Sequence, residues 1–399
     1  MAKSGTTTLI SDRLSNWEDG QWIGQTLEVE NGVCAVPGRM DGKEEGPLPY
    51  TNEVKAATDH LYPLVKEFIP EFEWPAYAPL VHAINKLKTE KNAVILAHNY
   101  MTPDIFNLIG DFKGDSLGLA IEATKVDADI IVQAGVHFMA ETSKILCPEK
   151  RVIIPSMRAG CSLASSITGE DVKLIKQRYP GIPVVTYVNT SADVKAESDI
   201  CCTSSNAVAI VEHIAAERGV DSVIMLPDEF LAKNVAKQTD IKVIAWHGRC
   251  EVHARFSAED VREMRAANPG VVVLAHPECP PEVVAESDFT GSTKAMSDYV
   301  GEHSPKNVIL LTECSMSDNV AAANPEVDFV RPCNLCPHMK RITLEGIYES
   351  LRDEVHEVIV PEDMRARAFD AVQRMIEVKF DPELGYFDPN LPEEEVQVI

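Results

Sequence analysis

The sequence predicts an α/β protein: three homologous three-layer αβα domains with parallel sheets, arranged around a pseudo-threefold axis and preceded by an N-terminal helical extension. Two observations carry this expectation. First, one stretch recurs with a period near 89 residues, and each copy ends on a cysteine. His98, Tyr187 and His276 lie 89 residues apart, as do Tyr100, Asn189 and Glu278. Ser116, Ser204 and Thr293 are spaced by 88 and 89 residues, and Cys161, Cys250 and Cys336 by 89 and 86. The segment AESD stands at 196–199 and again at 285–288. A fixed period marks repeated structural units. Second, each copy alternates β-rich runs with helical patterns of about 10–15 residues, the signature of parallel βαβ units with right-handed crossovers.

The elements follow in order. Residues 1–52 are polar, lie outside the repeat and predict little structure of their own. The segment from Ala57 to Lys91 has apolar residues at helical spacing on both sides of a proline break, which predicts two helices packed on the body. Each repeat opens with a strand: AVILAH, VVTYV and VVVLAH. A polar loop leads to a helix start rich in Gly, Ser and Thr: GDSLGLAIEA, TSSNAVAIVEHI and TGSTKAMSDYV. A second strand, a second helix and a third strand ending at the cysteine complete the unit. The expected divisions are an extension at 1–90, repeats at 91–175, 176–264 and 265–350, and a C-terminal helix with a loose acidic tail at 351–399.

Composition narrows the function. A net charge of −25 over 399 residues argues against a nucleic-acid partner, because phosphate backbones are held by clustered Lys and Arg. No apolar run approaches the length of about 18 residues that a membrane span needs. Ten cysteines without a secretory leader read as metal ligands, catalytic thiols or buried small residues in a reducing compartment, the cytoplasm.

The repeat also suggests a site. Parallel sheets bind ligands beyond the carboxyl ends of their strands. His98, Tyr187 and His276 sit there, and Tyr100, Asn189 and Glu278 follow two residues later on the same side. Ser116, Ser204 and Thr293, with Ser292 beside the last, mark helix starts suited to N-capping and to anions. His253 follows Cys250 by three residues and is placed to share a helical face with it. Three equivalent cysteines fall short of a closed four-ligand zinc site and also of a four-iron cluster, unless one iron of that cluster is left open. Cys333 and Cys336 form a CxxC pair that could hold zinc or cycle redox state. Cys201, Cys202, Cys147, Cys279 and Cys314 read as structural, Cys279 with the most ambiguity because it adjoins Glu278.

AHNY at 97–100, GDSL at 114–117, GVHFMAETSKIL at 135–146 and YVNT at 187–190 are followed by TSSNAV at 203–208, HPEC at 276–279, TGST at 290–293 and CPHMK at 336–340. As an ordered set they resemble the quinolinate synthase family, over roughly residues 90–350. The resemblance implies a [4Fe-4S] cluster held by Cys161, Cys250 and Cys336. It implies condensation of iminoaspartate with dihydroxyacetone phosphate to quinolinate, phosphate and water, in the de novo route to NAD. It implies substrate contacts from His98, Ser116, Tyr187, Asn189, Ser204, His276, Glu278 and Thr293, to which Ser292 and His253 are added as neighbours. Tyr100 matches a tyrosine near the reacting atoms, so Glu278, Tyr100 and His98 form the expected catalytic set. The enzyme that supplies iminoaspartate is a possible partner. Some relatives carry a CxxCxxC run; Val330 stands at its first position here, so a disulfide within that run is not expected. Two other readings remain open: a zinc hydrolase with Cys and His ligands, and a non-catalytic Fe–S redox sensor, which would not need the ring of His, Tyr and Glu.

Overall fold

The computed structural model describes residues 48–380, 386–392 and 394–399. Most of the expected N-terminal extension, residues 1–47, lies outside them. The described part of the extension forms α1 (Asn52–Thr58) and α2 (Trp74–Glu90). Thr51 caps α1, and Pro75 stands in the first turn of α2, where its missing N–H costs nothing. No helix among the described residues is long and apolar enough to cross a membrane.

The first repeat builds β1 (Ala93–His98), α3 (Pro103–Leu108), β2 (Phe112–Gly114), α4 (Ser116–Lys125), β3 (Ile130–Ala134), α5 (His137–Leu146) and β4 (Arg151–Ile153). The second repeat opens with α6 (Gly169–Arg178) and gives β5 (Val184–Tyr187), α7 (Ala192–Ala196), β6 (Ile200–Cys202), α8 (Ala207–Arg218), β7 (Ser222–Leu226), α9 (Glu229–Ala236) and β8 (Lys242–Ala245). The third has α10 (Ala258–Ala267), β9 (Val272–Ala275), α11 (Pro281–Val284), β10 (Phe289–Thr290), α12 (Thr293–His303), β11 (Asn307–Leu311), α13 (Cys314–Ala323) and β12 (Asp328–Val330). Two helices follow, α14 (Leu344–Asp353) and α15 (Glu362–Glu377), and then β13 (Gln397–Val398).

Every sheet has the same parallel order. The three read β2-β1-β3-β4, β6-β5-β7-β8 with β13 added beside β8, and β10-β9-β11-β12. The chain leaves the first strand toward one side and returns on the other, so each sheet has a switch point at the end of β1, β5 or β9. The predicted polar loop is therefore richer than expected: it holds a short helix and a short edge strand in every repeat. An aspartate locks that edge. Asp111, Asp199 and Asp288 accept from the backbone N–H of Ile95 (2.8 Å), Val184 (2.9 Å) and Val273 (2.8 Å). This shared bond accounts for the aspartate that closes both AESD segments.

The units interlock cyclically. The helix after each cysteine packs on the sheet of the following repeat. Val172 and Ile175 of α6 join Val184, Ile224 and Ile244 of the second sheet. Val261 of α10 joins Val273 and Ile309 of the third. Ile347 and Leu351 of α14 return to the cluster containing Ile95 and Ile131 of the first. Thr168, Ser257 and Thr343 cap these helices, each seven residues after its cysteine.

Two expectations need correction. The third strand of each repeat does not reach the cysteine: β4, β8 and β12 end at Ile153, Ala245 and Val330, so Cys161, Cys250 and Cys336 ride on loops beyond them. These loops must leave the sheet to reach the middle of the molecule. The acidic tail is not loose where it is described: Gln397 and Val398 pair with Ile244 and Ala245, and the Phe387 N–H bonds Thr290 O at 3.0 Å. Unpaired edge groups on β8 and beside β10 reward that docking in spite of the tail's charge.

Candidate active site

One cavity lies where the three sheets' carboxyl ends converge, the usual place for a ligand site in parallel α/β sheets. Cys161, Cys250 and Cys336 line it together with His98, Tyr100, Ser116, Tyr187, Asn189, Ser204, His253, His276, Glu278 and Thr293. Register mates from different repeats touch. Asn189 Nδ2 donates to Glu278 Oε1 at 3.3 Å, and the Glu251 N–H donates to Ser162 Oγ at 3.4 Å, each across 89 residues of sequence. Equivalent positions meet in this way only close to the axis that relates the repeats.

Ser292 is the exception among the expected contacts. It caps α12, its hydroxyl accepting from the Ala295 N–H at 3.2 Å, and it does not line the cavity. The other expected caps also shift by a residue or more. Asp115 caps α4 by accepting from the Gly118 N–H at 2.8 Å, and Asn206 precedes α8. Ser116 and Thr293 are thus the first residues of their helices, and Ser204 lies ahead of its own. Their hydroxyls are not consumed as caps and line the cavity, that of Thr293 accepting from Asn99 Nδ2 at 2.9 Å.

Glu278 sits at the centre of the polar network. Its Oε2 lies 2.9 Å from His253 Nδ1, without hydrogen-bond alignment, and 3.3 Å from His276 Nδ1. The two imidazoles stack at 4.6 Å. Burial pushes the Glu278 carboxyl up, but His253 and His276 outweigh it and hold the group below the usual carboxylate range. His98 Nδ1 accepts from the Tyr100 N–H at 3.2 Å, so the neutral ring carries its proton on Nε2. Burial, with His276 nearby, lowers His98 to about 3. Burial and then the Glu278 charge keep the Tyr100 phenol protonated well past its ordinary range. Tyr100 Oη also bonds Thr312 Oγ1, which stands 2.9 Å from His253 Nε2. The expectation for His253 is modified: it sits in a 3₁₀ turn, yet its ring and the Cys250 sulfur still converge with Glu278, their donor atoms all within 4.8 Å.

The three thiols suit an iron–sulfur group by their chemistry. Burial raises all three, Cys161 to about 12. Negative neighbours add to this: Cys336 acts on Cys161, Glu278 and then Cys161 on Cys250, and Glu313 and Glu251 on Cys336. Bare thiolates would repel here, and an iron core supplies the positive charge that lets them ionise together. The cysteine loops are built for close approach. A Cβ on Gly248 would collide with the Pro227 carbonyl, so only glycine lets the loop to Cys250 turn against that backbone.

The chain matches the family model described as "NadA: Quinolinate synthetase A protein" over residues 82–377. The chain belongs to the quinolinate synthase family. The quinolinate synthase of Caulobacter vibrioides (strain NA1000 / CB15N) is 63% identical over 329 residues, covering 82% of this chain and 90% of that protein. That of Sinorhizobium medicae (strain WSM419) is 59% identical over 336 residues, covering 84% and 92%. That of Xylella fastidiosa (strain 9a5c) is 62% identical over 298 residues, covering 75% and 87%.

Sequence reasoning missed the residues that brace this family site from behind. Asp228 Oδ2 accepts from the Cys250 N–H at 3.3 Å, and Glu313 Oε1 accepts from the Cys336 N–H at 3.4 Å. Lys340 Nζ bridges Glu313 Oε1 (3.0 Å) to Tyr100 O (3.2 Å). Asn234 Nδ2 donates to Pro277 O (2.8 Å) and Cys279 O (3.0 Å), fixing the turn that carries His276 and Glu278. Asn319 does the same for Asn99 O (3.1 Å) and Met101 O (2.8 Å) around Tyr100. In the first repeat Glu141 takes this role, accepting from the Ala192 N–H at 3.1 Å. Asn234→Ala leaves two buried carbonyls without partners and is expected to cost about 2–4 kcal/mol of stability. Denaturant unfolding of the variant beside the parent chain checks it.

Proposed function

We propose that the chain condenses iminoaspartate with dihydroxyacetone phosphate to quinolinate, phosphate and water in the de novo route to NAD, using a [4Fe-4S] cluster held by Cys161, Cys250 and Cys336. The observation that carries this reading is the convergence of one thiol from each repeat on the cavity that also holds the His, Tyr and Glu groups. The cluster, when bound, supplies a Lewis-acidic iron with an open position that polarises a substrate oxygen. The chain's own residues do the rest. No lysine or arginine is among the described residues lining the cavity, so anionic groups fall to the starts of α4, α8 and α12 and to the hydroxyls of Ser116, Ser204 and Thr293. Tyr187 and Asn189 complete the cradle. His98 presents an Nε2 proton as a donor. The Glu278 carboxylate accepts a proton from substrate carbon or nitrogen, and the protonated Tyr100 phenol returns one to a leaving oxygen. Burial of His98, His276 and Glu278 keeps bulk water from competing for these protons.

An enzyme that supplies iminoaspartate is the macromolecular partner this reading implies. The reading also places the chain in the cytoplasm, where thiols stay reduced. Anaerobic purification followed by a visible spectrum, iron and zinc analysis and a quinolinate assay tests it. A brown protein with about four irons per chain that needs both substrates for turnover is expected. Iron without turnover on these substrates overturns the enzyme assignment.

One observation favours a second reading. Cys250, His253 and Glu278 converge as a mixed donor set of the kind that holds zinc. That reading expects a colourless protein with one zinc and leaves Cys161 and Cys336 without a role.

A further inference from the structure

The Cys333 sulfur does not turn toward the cavity with Cys336. Cys336 lines the cavity, while Cys333 is exposed and its Sγ lies 3.5 Å from Cys314 Sγ. Both thiols are free. Two further contacts already bind the same segments: the Cys314 N–H donates to Asn334 O at 3.2 Å, and Glu313 Oε1 accepts from the Cys336 N–H. Asn334 Nδ2 also reaches Val252 O in the second repeat at 3.4 Å. The loop from Cys333 to Cys336 is therefore a strap between the start of α13 and the cavity wall, and the Cys314–Cys333 contact is its outer fastening.

We infer that Cys314 and Cys333 form a reversible oxidation site that closes a disulfide under hydrogen peroxide and tethers the Cys336 loop to α13. A disulfide brings its sulfurs to about 2.05 Å, so closure needs a sulfur displacement of roughly 1.5 Å, within the reach of side-chain rotation at an exposed loop. The steps balance. The Cys333 sulfur, exposed to solvent, takes one peroxide oxygen to give a sulfenic acid and releases water. The Cys314 thiol then displaces that hydroxyl, and its proton leaves with it as a second water. Two thiols lose two electrons, and one peroxide becomes two waters. Burial raises the Cys314 thiol to about 12, with Cys333 and Glu313 adding to it, so the first attack falls to the more exposed Cys333 and Cys314 follows because its sulfur is already in contact. A dithiol reductant reverses the bond. This goes beyond the proposed reaction, and the linkage forms whether or not the cavity holds iron.

The test treats the full chain, purified anaerobically, with hydrogen peroxide and maps its peptides without reduction. A Cys314–Cys333 linked peptide is expected, about 2 Da below the two reduced peptides and lost on adding dithiothreitol. In Cys314→Ser, Cys333 is expected to accumulate as a sulfenic acid that dimedone traps. Amide exchange over residues 333–338 is expected to slow by roughly threefold or more in the oxidised parent chain but not in Cys314→Ser. Linkage of Cys333 to Cys336, absence of any Cys333 linkage, or linkage without slower exchange overturns the inference. Failure of the cluster assignment reads out separately, as absent iron beside an intact Cys314–Cys333 peptide.

Discussion

Serine in place of Cys250 is expected to leave the purified chain without its iron. Anaerobic protein should lose the broad visible absorbance and most of its iron relative to the parent chain. Quinolinate formation should fall by at least about 10³-fold, because on the proposed reading the cluster would supply the Lewis acid of the reaction. On the proposed reading, a cubane with one open iron would need a thiolate at three of its corners, and the three repeats offer one each. A serine hydroxyl is a far weaker acid than a thiol and a poorer ligand for iron. No spare thiol stands ready among the described residues: Cys147, Cys201, Cys202 and Cys279 are buried in the core, and Cys314 and Cys333 face each other. The same outcome is expected for Cys161→Ser and Cys336→Ser, since each supplies the sole equivalent of its repeat. Cys147→Ala is the control, because that sulfur packs against Ala123 O at 3.2 Å outside the cavity, and it should retain its iron. Full absorbance and iron content in Cys250→Ser would remove the ligand assignment.

The repeat made most of this architecture readable in advance. A period of 89 residues superposes strand ends, helix starts and cysteines, so one unit's reading serves all three. What escaped detection has physical causes. The edge strands β2, β6 and β10 are two or three residues long, too short for any periodicity to register. The tail's charge predicted a solvated segment, but the open edge of β8 offered backbone bonds that composition does not report. The bracing residues make side-chain-to-backbone bonds between repeats, which no local propensity encodes. A signal for them was present nonetheless. Asp228 and Asn234 stand six residues apart, as do Glu313 and Asn319, and the two pairs are 85 residues apart. Reading the repeat at its second helix as well as at its cysteines would have found them. The first repeat has Val136 at its cap and Glu141 in the bracing role, which blurs the pattern. Two of the helix starts illustrate the reverse error: capping was assigned to Ser116 and Thr293, which line the cavity, when Asp115 and Ser292 do the capping.

Glu278→Gln is expected to separate proton transfer from metal binding. The substitution keeps the size of the side chain and removes its charge. An amide cannot accept a substrate proton, so kcat is expected to fall by about 10²–10⁴-fold, the usual contribution of a positioned acid or base. Iron content and visible absorbance should stay at the parent level, because on the proposed reading three thiolates would hold the cluster without the carboxylate. The zinc reading predicts otherwise: there Glu278 is a ligand alongside Cys250 and His253, and the amide should cost metal as well as turnover. Metal analysis of this one variant therefore decides between the readings. The structure gives a further reason to expect a large kinetic effect with little structural change. Glu278 is only 3% exposed, and its carboxylate lies between two buried imidazoles. Bulk water can do little to replace a base enclosed in this way. The glutamine can still meet Asn189 and the histidines as a neutral hydrogen-bonding partner, and neutral His98 and His276 need no counter-charge. Turnover at the parent rate in a cluster-loaded Glu278→Gln protein would take Glu278 out of the reaction and leave Tyr100 and His98 to carry its protons.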